Sequence, residues 1–194
     1  MLTERMVVDG LIADPNDPIF DRLEAVLTKL DKQGLTLAFV GHEEVDMHLK
    51  WSWVDASTGT AVHMWDDYRS DVKYLELRVP DEATMTLLRS LLSAKLKPPT
   101  RASLLARARR KLERTPLMRV VFAAGNEPDD DTVALVTGAL ADSSPHVRGA
   151  AAYGAGVLGW PVFRAPLEQA LTSEQDGRVL DALRRSLAIV PAAS

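Results

Sequence analysis

The stretch Leu140-Ala141-Asp142-Ser143-Ser144-Pro145-His146-Val147-Arg148-Gly149-Ala150-Ala151, continued by Gly156-Val157-Leu158-Gly159, decides the reading of the fold. A leucine-bearing helix ends in an Asp/Ser turn, where Asp142 can accept backbone N–H bonds. Pro145 pre-sets the next helix, because its missing N–H costs nothing at the first helical position. The Ala and Gly residues that follow let paired helices approach closely. Outward from this unit, everything beyond Thr100 reads as helical and alanine-rich. Segments fall near 101–113, 116–125, 130–141, 146–158, 163–172 and 176–190, with Pro116, Pro128, Pro145 and Pro161 in or beside the gaps.

These segments form three pairs, each about thirty residues long, a period that points to a repeat architecture. Val136 and Leu140 correspond to Leu167 and Leu171 in the next pair. With one residue of slippage, Val147 corresponds to Val179, Ala150 to Ala182, Val157 to Ile189 and Leu158 to Val190. On these residues the middle unit resembles the HEAT-repeat family, including the short variety found in bilin-lyase subunits. The third unit inverts the Val-Arg order in Asp176-Gly177-Arg178-Val179, and the first has Met118-Arg119 but no Asp turn. The resemblance implies a binding scaffold with no catalytic residues and no cofactor. A repeat pair cannot bury its apolar face alone, so the ends of a three-unit stack need cover. The N-terminal half is expected to supply it at one end, and Pro191–Ser194 to form a short frayed tail.

That N-terminal half reads differently. Asp17-Pro18 opens a helix with Phe20, Leu23, Val26, Leu27 and Leu30 at helical spacing, closed by Gly34. Leu35–Gly41 reads as a strand and the polar run from His42 as a surface loop. From Asp46 the period becomes two, with Leu49, Trp51 and Trp53 alternating with Lys50 and Ser52. The turn cluster at Asp55–Gly59 precedes a strand over 60–66, and Val72–Val79 forms another. Pro80-Asp81 then opens a helix carrying Met85, Leu87, Leu88, Leu91 and Leu92. The order α-β-β-β-β-α predicts an α+β domain with an antiparallel sheet and both helices on one side. Lys97-Pro98-Pro99-Thr100 marks the boundary, giving domains over 1–96 and 100–194.

Composition narrows the chemistry. The 194 residues contain no cysteine, which excludes disulfides, thiolate catalysis and thiolate metal sites. No apolar run reaches the roughly 18 residues a membrane helix requires, and Met1–Gly10 lacks a signal-peptide core. A cytoplasmic protein without membrane partners is the expectation. The net charge of −4 hides an asymmetry: −8 over residues 1–94, +8 over 95–119 and −4 over 120–194.

No motif supports an active site or a metal. His42 and His48 are six residues apart, whereas a zincin needs two His at i and i+4 on a helix. Asp129-Asp130-Asp131 precedes a helix that such acids would cap. The basic band places Arg107, Arg110, Lys111 and Arg114 on one expected helical face. That face could grip nucleic acid in a salt-sensitive way, or lie against the acidic N-terminal domain. On the sheet, if Leu75, Leu77, Val62 and Met64 face the helices, His63, Trp65 and Tyr74 point to the other side, either exposed as a partner patch or covered by the repeat helices. The alternative is that the Trp side is the core. Partner-binding residues are therefore sought among His63, Trp65, Tyr74, Arg107, Arg110, Arg114 and Arg148.

The leading function is non-catalytic protein binding, with HEAT-like nucleic-acid binding as the alternative. The whole layout is similar to uncharacterised bacterial HEAT-repeat proteins. It is also similar, through His63-Met64-Trp65-Asp66-Asp67 and Val72-Lys73-Tyr74-Leu75, to immunity proteins. An acidic domain facing a basic toxin would fit that second likeness.

Overall fold

The computed structural model describes residues 1–8, 18–46 and 48–192, apart from the side chains of residues 18–20, 22 and 32. It divides into two compact units, Met1–Pro99 and Thr100–Ser194.

The first unit is a five-stranded antiparallel sheet with two helices. Strands β1 (Leu2–Val7), β2 (Ala38–Val45), β3 (His48–Val54), β4 (Ala61–Asp67) and β5 (Val72–Val79) lie in the order β1-β5-β4-β3-β2. Helix α1 (Pro18–Leu30) joins β1 to the far edge, and α2 (Glu82–Leu96) follows β5. The α+β class with an antiparallel sheet is as the sequence indicates, with one strand added. β1 pairs with β5 from Leu2↔Val79 to Val7↔Tyr74. The Asp17 cap of α1 and the Phe20 side chain lie outside the described residues. Leu30 leads into a short 3-10 turn that Gly34 ends in the left-handed region, at φ 81°, where glycine is favoured.

Alternation sets the core. Trp51, Trp53, Val62, Met64, Leu75, Leu77 and Val79 turn one sheet face toward Leu23, Val26, Leu27 and Leu30 of α1 and Met85, Leu88 and Leu92 of α2. Asp81 caps α2 by accepting from the Thr84 N–H at 2.8 Å.

The reading of His42–Val45 as a loop is corrected. Gly41 to Val45 pair with Ser52 to His48, and the turn comes only at Asp46, which adopts φ 48°. β2 has no buried face, so its polar residues carried no period-two signal.

The second unit consists of α3 (Arg101–Arg110), α4 (Arg114–Phe122), α5 (Asp130–Ala139), α6 (Pro145–Leu158), α7 (Arg164–Ser173) and α8 (Gly177–Ile189). They pack as α3–α4, α5–α6 and α7–α8, and the second helices stack in the order α4, α6, α8. The central helix is lined with Ala150, Ala151, Ala152, Gly154, Ala155 and Gly156, all buried. A Cβ on Gly154 would lie 2.9 Å from Val121 Cγ2 of α4, and one on Gly156 would lie 2.7 Å from Ser186 Oγ of α8. Small residues therefore set the spacing on both sides of α6. Ser186 Oγ donates to the Ala152 carbonyl at 2.7 Å, which satisfies a hydroxyl buried between two helices.

Candidate functional site

The turns of the helical unit are built as the residue types dictate. Asp142 accepts from the Ser144 N–H at 2.8 Å, and Pro145 occupies the first turn of α6. Asp176 accepts from the Arg178 and Val179 N–H groups at the start of α8, so the inverted Val-Arg order costs the cap nothing. Arg148 binds Glu174 through Nε at 2.6 Å and Nη2 at 2.9 Å, and its Nη1 donates to the Asp142 and Ser143 carbonyls. Glu174 also accepts the Gln175 and Asp176 N–H groups. Arg148 foremost holds the Glu174 carboxyl far below its usual range, at about 2. The structure thus places Arg148 in a hydrogen-bonded joint between two repeats.

The basic band does not form one helical face. α3 ends at Arg110, Lys111 is extended at φ −145°, and Arg114 opens the next helix. Glu113 precedes α4 in an extended conformation, without a side-chain capping bond. Arg107 and Arg110 belong to α3, and Arg114 to a separate element. Arg101 and Arg109 pair with Asp129 and Asp131, and Lys111 pairs with Glu113. Asp129 additionally caps α5, accepting from the Thr132 N–H at 3.0 Å. Three bases of the band, Arg101, Arg109 and Lys111, are therefore paired inside the second unit.

Sequence reading overlooked a ridge on the second helices. His146 is exposed on α6, and Tyr153 and Val157 are half-buried; one repeat on, Arg178, Arg185 and Ile189 are exposed on α8. Ile189 is 63% exposed although its counterpart Val157 is half-buried. The one-repeat offset that pairs Val157 with Ile189 marks equivalent positions in the sequence, but it carries no information on their exposure.

The sheet face turned away from α1 and α2 carries His63, Trp65 and Tyr74, joined by the overlooked Ser52 and Glu76. Register aligns Ser52, His63, Glu76 and Arg5 in one row across four strands. Ser52 Oγ lies 2.9 Å from His63 Nδ1, and Glu76 pairs with Arg78 at 2.7 Å and Arg5 at 3.8 Å. His63 and Tyr74 are buried, at 7% and 6% exposure, and Trp65 is half-buried, so an exposed patch of these three is not what the fold presents. Trp65 stacks on Tyr74 with centroids 6.2 Å apart, under Lys50 Nζ at 5.3 Å. Burial first, then the Lys50 and Arg78 charges, lowers the His63 imidazole to about 4. Burial pushes the Tyr74 phenol up.

A His63 this weakly basic is a poor proton acceptor for Ser52 near neutrality. β4 is flanked by two paired strands, and its backbone N–H groups are committed to those ladders. The row is a cross-strand polar lattice, suited to holding strands in register. Among the described residues no group of three His, Asp or Glu is arranged to hold a metal. Asp66 pairs with Lys73 at 3.0 Å, and Asp67 accepts from the Arg69 N–H and the Ser70 hydroxyl. Among the described residues no helix is long and apolar enough to cross a membrane.

Residues 101–188 match the family model for HEAT repeats, which covers all but the last residue of the six-helix stack. No curated protein and no solved structure matches the chain.

Proposed function

We propose that the protein is a non-catalytic protein-binding scaffold whose partner seats on the α6–α8 ridge. The observation that carries this reading is the HEAT-repeat match over residues 101–188, since HEAT repeats generally serve protein interaction. The ridge supplies Tyr153, Arg178 and Arg185, and tyrosine and arginine are residue types over-represented among interface hot spots. Ile189 adds an exposed apolar contact.

The net charge of −8 over residues 1–94 favours a partner that also carries a basic surface away from the Arg178 and Arg185 contacts, through steering more than through raw affinity. An immunity-type protein that neutralises a basic toxin is the specific form this charge supports. That form predicts that deleting the gene is toxic unless a neighbouring toxin gene is deleted with it. The general reading is tested by affinity capture from the native cell with quantitative mass spectrometry. One protein recovered in near-stoichiometric amount is the expected result. Recovery of no such protein at native expression levels overturns the scaffold reading.

A further inference from the structure

Strand β2 ends the sheet, and seven of its eight residues are exposed, Val40 to 62%. The opposite edge differs, since β1 runs from exposed to buried and Val8 continues it by donating to the Lys73 carbonyl. The direction of the free backbone groups on β2 follows from the register. Asp55 N–H bonds the Thr60 carbonyl, so Asp55, Trp53, Trp51 and Leu49 turn their backbone groups toward β4. Lys50, Ser52 and His48 therefore face β2, where their partners are Glu43, Gly41 and Val45. By alternation, His42 and Glu44 direct both N–H and C=O outward, and among the described residues no backbone group meets them.

The side chains give this edge a sign. Glu43 is neutralised by Lys50 Nζ at 2.8 Å, whereas Glu44 and Asp46 have no cation among the described residues. Val40, the extra residue of a bulge between Phe39 and Gly41, adds an apolar contact beside them. Bulges and charges are devices that keep edge strands from pairing indiscriminately. An acidic edge repels an acidic strand and attracts a basic one, so the same charges that guard it select a partner.

We propose that β2 is a strand-addition site for an extended, basic segment of a partner protein. The segment extends the sheet by bonding the outward groups of His42 and Glu44, with Lys or Arg near Glu44 and Asp46 and an apolar side chain near Val40. This rests on the scaffold reading and adds a second contact to it.

The test uses the full-length protein and three fluorescent peptides matched to β2 in length. One alternates lysine and valine, one alternates glutamate and valine, and one is the lysine peptide N-methylated at alternate residues. The lysine peptide binds and slows amide exchange at His42 and Glu44. N-methylation weakens binding by about tenfold or more, the scale of one or two lost hydrogen bonds. The glutamate peptide does not bind. Equal binding of the methylated peptide overturns strand addition in favour of simple charge attraction, and failure of the lysine peptide to bind overturns it outright. Concentration-dependent dimerisation that blocks the peptide overturns it in favour of a second copy. His42→Pro, which removes an outward donor without touching the ladder, separates the two proposals. If it leaves lysine-peptide binding unchanged, strand addition falls, whereas the scaffold reading is judged on capture of the native partner alone.

Discussion

Arg148 on α6 and Glu174 beyond α7 form a two-point ion pair that ties one repeat to the next, with contacts of 2.6 and 2.9 Å. The same guanidinium holds the turn at Asp142 and Ser143. Removing it leaves a shielded carboxylate and two carbonyls without their donor, a larger loss than an exposed surface pair would cause. Arg148→Met is expected to lower Tm by several degrees in a calorimetric scan.

The pair also predicts an acid response. The Glu174 carboxyl sits near 2 in the folded chain against an ordinary value of 4.5. A depressed acid stabilises the fold above its unfolded value, and that stabilisation is lost as pH falls from about 4.5 toward 2. Melting curves across this window should therefore fall less steeply for Glu174→Gln than for wild type. Parallel curves would contradict it.

His63 gives a response in a different window. Its folded value of about 4 lies below the ordinary 6.5, so below 6.5 the unfolded chain takes up a proton that the fold does not. Stability present above 6.5 falls between 6.5 and 4, by up to about 3 kcal/mol. His63→Gln, read by urea denaturation at several pH values, should flatten that fall.

At the centre of the stack, Gly156→Ala drives a methyl into Ser186 and disturbs its bond to the Ala152 carbonyl. Overpacking of this kind costs about 1–3 kcal/mol. Gly138, whose added Cβ would meet nothing within 4 Å, is the control and should not lose stability when changed to Ala.

The broken basic helix predicts weak nucleic-acid contact. A low-salt gel shift with duplex DNA or RNA should show no complex. A salt-sensitive shift that disappears in an Arg107/Arg110/Arg114→Glu triple variant would restore the alternative reading.

The middle repeat was legible because its punctuation is local: Asp142 and Pro145 announce the turn, and the Ala and Gly residues up to Gly156 announce close helix contact. The strands β3 to β5 were legible because each has one apolar face. β1 was not, since the Glu4 and Arg5 of Leu2–Val7 interrupt its alternation and its pairing with β5 spans most of the unit. β2 was not, since an edge strand exposed on both faces has no alternation to read. The α3 stop at Arg110 was hidden by helix-favouring arginines on both sides of it. On the sheet, parity grouped His63, Trp65 and Tyr74 on one face. Their burial was not legible, because parity gives a face and says nothing of what shields it.

The central claim is that the α6–α8 ridge holds a protein partner. It is tested most directly by the Kd of the captured protein for wild type and for a Tyr153→Ala/Arg185→Glu variant, measured by calorimetry with folding verified by circular dichroism. Loss of two hot-spot side chains should raise Kd by about tenfold or more. An unchanged Kd in a folded variant would contradict it.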